Sequence, residues 1–157
     1  MNHSLRLLLV PVLFFLSACA MPTNFSGALP AAAPGTARIV LYRQIDYYEP
    51  SGVLTVSLNN QPTATMDRDD LVYRDVAPGT YTVTFKPTAY SANQFKTLAV
   101  AAGAVVYVKL QNFPQDDCSG SDGGSGGGSC REVAYTSVVV DPSVAQQEIK
   151  SLRLSQG

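Results

Sequence analysis

Three aspartates close together in the sequence, Asp67, Asp69 and Asp70, are the residues best suited to acid–base chemistry. Two carboxylates held about 5 to 10 Å apart in a cleft can hydrolyse a glycosidic bond. A solvated turn between strands, with Arg68 among the acids, explains the same cluster, and charged runs between strands usually mark such turns. We therefore expect a turn, and a glycan-active hydrolase using these carboxylates is the alternative function.

Imidazole chemistry is excluded once the leader is removed. The only histidine of the 157 residues is His3, which lies in a segment that we expect to be cleaved off. A chain without histidine cannot hold a Ser-His-Asp triad, a Cys-His pair or an imidazole-ligated metal. The net charge of −1 gives no basic footprint for nucleic acid. The sequence thus predicts no catalytic residue, no metal site, no cofactor and no nucleic-acid partner.

The amino-terminal residues have the layout of an export signal. Arg6 supplies the positive end, and the apolar run of residues 7–16 is shorter than the roughly 20 residues that a membrane-spanning helix needs. The following Leu16-Ser17-Ala18-Cys19 resembles the lipobox of bacterial lipoproteins. The resemblance implies cleavage after residue 18, lipidation of Cys19 and anchoring in a bilayer. Ala20, where an Asp would resemble the inner-membrane retention signal, favours the outer membrane.

The other two cysteines, Cys118 and Cys130, flank a segment of only Gly, Ser and one Asp. This Gly-rich loop lacks the Lys and Ser/Thr that a phosphate-binding loop needs, and its aspartates do not match a calcium loop. With Cys19 acylated, Cys118 and Cys130 form an even pair in an oxidising compartment, so we expect a structural disulfide. Closing this loop would stabilise the fold by about 3 kcal/mol in the chain-entropy model.

Three tyrosines in predicted loops, Tyr47, Tyr48 and Tyr90, are candidates for contact with a partner protein or a glycan. Tyrosine offers a large apolar ring and a hydrogen-bonding hydroxyl, which suits interfaces. The same side chains could instead cover the open end of a β-sandwich, and this structural role is the expected one.

The spacing of apolar residues along the chain predicts the secondary-structure elements that position these residues. Residues 20–36 carry no charge and several Pro, Gly and Ser, which predicts a flexible tether after Cys19. From residue 37 the apolar residues recur with period two, and turn signals come every 8 to 12 residues. Residues 37–157 are therefore predicted to form an antiparallel β-sandwich of seven or eight strands.

Local patterns within this domain predict its individual elements. Residues 38–42 are apolar on both faces, which indicates a central strand. Asn59-Asn60 is a pair that suits a tight hairpin. Residues 95–100 and 104–110 are predicted to form a hairpin around Ala102-Gly103. Asp141-Pro142 predicts the start of a short terminal helix that packs on a sheet edge through Ala145, Ile149 and Leu152.

Four segments also resemble, in order, the bacterial lipoproteins that carry domain of unknown function 2846, a β-domain similar to PEGA domains. They are residues 37–43, 56–61, 71–81 and 98–109, so the resemblance covers about residues 37–110. It implies a β-domain in the cell envelope and brings no catalytic residues, because that family has no established activity. The sequence thus favours a non-enzymatic, lipid-anchored envelope module that faces the periplasm and binds a protein or glycan.

Overall fold

The computed structural model describes Phe25 and residues 27–44, 52–86, 96–115 and 132–155. These residues form a two-layer β-sandwich with one short helix near the carboxyl end. The five-stranded sheet has the order β8-β7-β1-β4-β9, and the four-stranded sheet has the order β3-β2-β5-β6. The elements are β1 (Ala37–Arg43), β2 (Leu54–Leu58), β3 (Gln61–Met66), β4 (Asp70–Val76), β5 (Gly79–Lys86), β6 (Lys96–Val100), β7 (Val105–Gln115), β8 (Glu132–Val140), α1 (Pro142–Glu148), a 3-10 turn (Ile149–Ser151) and β9 (Arg153–Leu154).

The central position of β1 is confirmed, because all seven of its residues are buried. Ile39 and Leu41 point into the core between the two sheets. Val40 and Tyr42 point to the outer face of the five-stranded sheet, where α1 covers them. Apolar residues on both faces of a strand are what burial between two layers requires.

The sandwich is not antiparallel throughout. β1 pairs with β7 in parallel, as β4 does with the two-residue β9, and the remaining pairs are antiparallel. Counting β9, the described residues contain nine strands, against the seven or eight predicted. A two-residue strand has too little sequence to show a period, so β9 could not be predicted from the pattern.

The predicted hairpin of residues 95–110 is wrong. β6 pairs with β5 in one sheet, whereas β7 pairs with β1 and β8 in the other. The turn between them docks on the start of β1: the backbone N–H of Gly103 donates to the carbonyl of Thr36, and that of Arg38 donates to the carbonyl of Ala104. Gly103 has φ 76°, a value that glycine adopts readily. The turn is thus a corner that carries the chain between sheets.

The Asn59-Asn60 hairpin and the terminal helix are both confirmed. The two asparagines have φ 51° and 64° and join β2 to β3. Asp141 caps α1 by accepting a hydrogen bond from the backbone N–H of Ser143. Within the described ranges no helix has the length and apolar character needed to cross a bilayer.

The position predicted for the helix at a sheet edge is wrong. The predicted apolar stripe of Ala145, Ile149 and Leu152 is buried, but it packs with Val40 and Tyr42 of the central strand. Val40 and Tyr42 on the outer face of β1 need a cover, and α1 together with Phe25 supplies it.

Candidate functional site

A groove of about 700 Å³ runs along the outer face of the five-stranded sheet, between residues 27–32 and α1. We call it the helix groove. Val105, Tyr107 and Ile149 contribute apolar surface, and Gln146 and Lys150 add an amide and a cation. None of the described residues that line the groove is acidic. An open groove whose lining mixes apolar side chains with amides and cations is suited to binding a ligand that carries both apolar and hydrogen-bonding groups.

One wall of the helix groove comes from the segment predicted to be a flexible tether. Phe25 is 7% exposed and packs with Leu152, and its backbone N–H donates to the Leu152 carbonyl at 2.8 Å. Leu29 packs against the same apolar cluster. The tether prediction is therefore wrong for Phe25 and for residues 27–36, which lie against the domain. Burial of these two apolar side chains favours docking of the uncharged segment on the domain.

Arg38 holds this wall in place through an ion pair and hydrogen bonds. Its guanidinium forms a bidentate pair with Asp75, at 2.6 and 2.8 Å, and also donates to the carbonyls of Pro30 and Ala31. It lies 4.3 Å from the centre of the Tyr73 ring. The hydrogen bond with Asp75 raises the pKa of Arg38 and lowers that of Asp75. A planar, permanently charged fork suits this set of acceptors better than an ammonium group does.

A second polar cluster fixes the other wall. Glu148, the last residue of α1, accepts hydrogen bonds from the Tyr42 hydroxyl and from Nζ of Lys109, both at 2.6 Å. Burial alone would raise the pKa of Glu148, but these two hydrogen bonds outweigh it and leave the pKa below its usual value. Burial, together with the bond to Glu148, raises the pKa of Tyr42. The cluster joins α1 to β1 and β7 across the sheet.

The three aspartates from the sequence lie elsewhere: Asp67 and Asp69 are in the turn between β3 and β4, and Asp70 is the first residue of β4. Asp70 accepts a hydrogen bond from the backbone N–H of Asp67 at 2.8 Å, and its other oxygen lies 3.2 Å from Arg153. Asp67 accepts from the backbone N–H of Arg68, and Asp69 has φ 62°. These contacts are those of a tight turn, as expected for the cluster, but the expectation of a solvated turn is wrong for Asp70, which is buried. In the described ranges no group of three His, Cys, Asp or Glu side chains is placed to hold a metal ion.

The remaining predicted site residues lie outside the described residues. They are the lipidation site Cys19, the proposed disulfide partners Cys118 and Cys130, and the candidate contact residues Tyr47, Tyr48 and Tyr90. The Gly-rich loop between the two cysteines lies outside as well. The roles assigned to these residues stay predictions.

The helix groove and its two polar clusters were not predicted from the sequence. A signal existed for both clusters: Arg38 interrupts an apolar strand, and Glu148 lies beside an apolar helical stripe. A charged residue within an apolar element is buried only when it has partners. The sequence does not show those partners, because Asp75 and Lys109 are 37 and 39 positions away from Arg38 and Glu148.

The chain matches no family model, no curated protein and no solved structure. Its resemblance to the lipoproteins with domain of unknown function 2846 therefore stays a prediction that rests on the four segments alone.

Proposed function

We propose that this chain is a lipid-anchored lipoprotein of the bacterial cell envelope whose β-sandwich is a non-enzymatic binding or structural module. Cys19 carries the lipid, and the bilayer is the first partner. The domain faces the periplasm from the outer membrane, as the residue after Cys19 favours. The observation that carries the proposal is the run Leu16-Ser17-Ala18-Cys19 at the end of an apolar segment with a basic start.

The arrangement of charges in the described residues supports a binding module. The Arg38–Asp75 pair holds the amino-terminal segment, and the Lys109–Glu148 pair holds α1. The two ion pairs lie on either side of the helix groove and hold its walls in place. A preformed groove loses little conformational entropy when it binds, so this is the surface that we expect to engage an envelope protein or a glycan.

Incorporation of labelled palmitate into the full-length chain tests the anchor. The wild-type protein should take up the label and fractionate with membranes, and Cys19→Ser should do neither. Cys118→Ser is the matched control, because it also removes a thiol but should keep the label. A wild-type protein that stays unlabelled and retains residues 1–18 by intact mass contradicts the proposal.

The hydrolase alternative requires turnover that depends on the aspartates. Purified protein should release no products from cell-wall glycan, and the Asp67→Asn/Asp69→Asn variant should give the same result. Asp70 is left unchanged, because its carboxylate is part of the turn and of the contact with Arg153. Glycan cleavage by the wild type that this variant loses would replace the binding module by an enzyme.

A further inference from the structure

We infer that the outer face of the five-stranded sheet, bearing α1 and the helix groove, is the face that the domain holds toward the membrane. The inference rests on the proposed lipidation of Cys19. It goes beyond that proposal by assigning a defined surface and orientation to the domain, with a bilayer surface as the partner.

Phe25 is the first described residue at which the chain contacts the domain. Phe25 is held by its buried ring and by the hydrogen bond between its backbone N–H and the Leu152 carbonyl. Only six positions separate it from Cys19. Because a residue spans at most about 3.5 Å, the acylated residue lies within roughly 20 Å of this point, whatever conformation the link adopts.

The link between Cys19 and Phe25 is shorter than the domain is wide. A domain of this size is roughly 35 Å across. A tether running freely from Cys19 to the start of β1 would reach about 60 Å, and the domain could then present any face to the bilayer. A flexible link of six residues spans only about 13 Å on average, which is less than the thickness of the domain. The link therefore favours the orientation in which the face that bears Phe25 lies next to the lipid.

The surface next to the docking point of Phe25 carries an exposed positive charge. Lys150 and Ser151 are exposed immediately before Leu152, and Lys150 lines the helix groove. An exposed lysine near a bilayer is attracted by anionic headgroups, by about 1 kcal/mol for each such residue. Lys150 adds this attraction at one end of the helix layer, whereas the exposed Asp141 at the start of α1 is repelled, so the short link is what sets the orientation. The groove would then open toward the lipid headgroups.

Fluorescence quenching on lipid vesicles tests the orientation in the lipidated, full-length protein. In a background with Cys118→Ser and Cys130→Ser, a fluorophore is attached through either Ser151→Cys or Ala99→Cys. Both positions are exposed, but Ser151 is beside the docking point, whereas Ala99 is on the outer face of the four-stranded sheet. The sheet separation and the helix layer place the two faces about 20 Å apart.

Vesicles of phosphatidylethanolamine and phosphatidylglycerol with a nitroxide-bearing headgroup lipid should quench the label at Ser151 several-fold more strongly than the label at Ala99. Inserting about 20 Gly and Ser residues after Met21 lengthens the link without touching the domain, and it should abolish most of that difference. Phe25→Ser should also reduce the difference by freeing the segment, and Phe25→Leu should keep it.

Equal quenching at the two positions in the lipidated protein overturns the inference and leaves the lipoprotein proposal standing. A difference that survives the insertion undiminished also overturns it, because the short link would then not set the orientation. Absence of palmitate on the protein contradicts the proposed function and the inference together. Urea unfolding midpoints close to that of the parent confirm that each labelled variant is folded.

Discussion

The Tyr42 hydroxyl donates a 2.6 Å hydrogen bond to Oε2 of Glu148, joining the central strand to the last residue of the helix 106 positions later. Lys109 donates to the other oxygen of the same carboxylate. One carboxylate thus ties β1, β7 and α1 together beneath the apolar stripe of the helix. The helix is seven residues long, too short to be stable alone, so its position depends on these contacts and on burial.

Glu148→Gln should lower the free energy of unfolding by about 1 to 3 kcal/mol, because it leaves the partly buried ammonium of Lys109 without its counter-charge. Urea unfolding followed by circular dichroism measures the change. Gln146→Ala, an exposed change in the same helix, is the control and should stay within about 0.5 kcal/mol of wild type. Loss of stability by the control alone would refute the role given to the carboxylate.

The free energy of unfolding should decrease as the pH falls below about 4.5, the usual pKa of a glutamate. The folded state holds the pKa values of Glu148 and Asp75 below their usual values, so both contribute stability while ionised. As the pH falls, these carboxylates are protonated in the unfolded chain at a higher pH than in the folded chain. Their contribution to the free energy of unfolding is lost as the pH falls through their folded-state pKa values.

Glu148→Gln should flatten this acid limb, and urea titrations from pH 7 to pH 3 would measure it. A variant whose acid limb is as steep as that of wild type would show that Glu148 is not among the groups responsible. Asp67→Asn is the matched control, since it removes a carboxylate from the exposed turn.

Asp75→Asn should loosen the wall of the helix groove formed by residues 27–32. The change weakens the bidentate pair with Arg38, which also holds the carbonyls of Pro30 and Ala31. Hydrogen bonds to charged groups contribute about 1.5 to 3 kcal/mol, and partial exposure of Asp75 places the loss at the lower end. Hydrogen exchange should quicken at the amide of Ala33, which itself bonds to Asp75, while amides of β5 keep their rates. Unchanged exchange at Ala33 would contradict this account.

Much of the fold could be predicted from the sequence because its strands follow simple patterns. Leu54, Val56 and Leu58 alternate with polar residues and face the core as expected. Asp141 and Pro142 start the helix at the position that capping chemistry predicts. Such signals depend on neighbours in the sequence, so a single sequence contains them.

The parts that could not be predicted depend on pairing between distant segments. An Ala102-Gly103 turn fits a hairpin and a corner between sheets equally well, and only docking on Thr36 and Arg38 decides between them. The segment after Cys19 has the composition of a linker, yet an apolar surface that the rest of the fold creates holds its Phe25. The helix groove is lined partly by this docked segment, whose position depends on contacts with distant parts of the chain. No local sequence pattern could therefore predict the groove.

The predicted disulfide between Cys118 and Cys130 can be measured directly. The mature protein, alkylated without reductant, should take up no alkyl group at either cysteine, and the single tryptic peptide of residues 110–131, which contains both, should have the mass of its internally disulfide-bonded form. Reduction should lower the unfolding free energy by about 3 kcal/mol, because the closed loop restricts the unfolded chain. Alkylation of both cysteines before reduction would show that the pair is not linked.

The turn between β2 and β3 should distinguish asparagine from β-branched residues at position 60. Asn60 has φ 64°, in the left-handed region that glycine and asparagine tolerate and that valine strongly disfavours. Asn60→Gly should therefore leave stability nearly unchanged, whereas Asn60→Val should lower the free energy of unfolding by about 1 to 2 kcal/mol. Thermal and urea unfolding of the two variants, side by side, provide the measurement. Because position 60 is exposed and contributes no side chain to the core, the difference reports backbone conformation, and equal stability of the two variants would mean that this residue does not adopt a left-handed conformation.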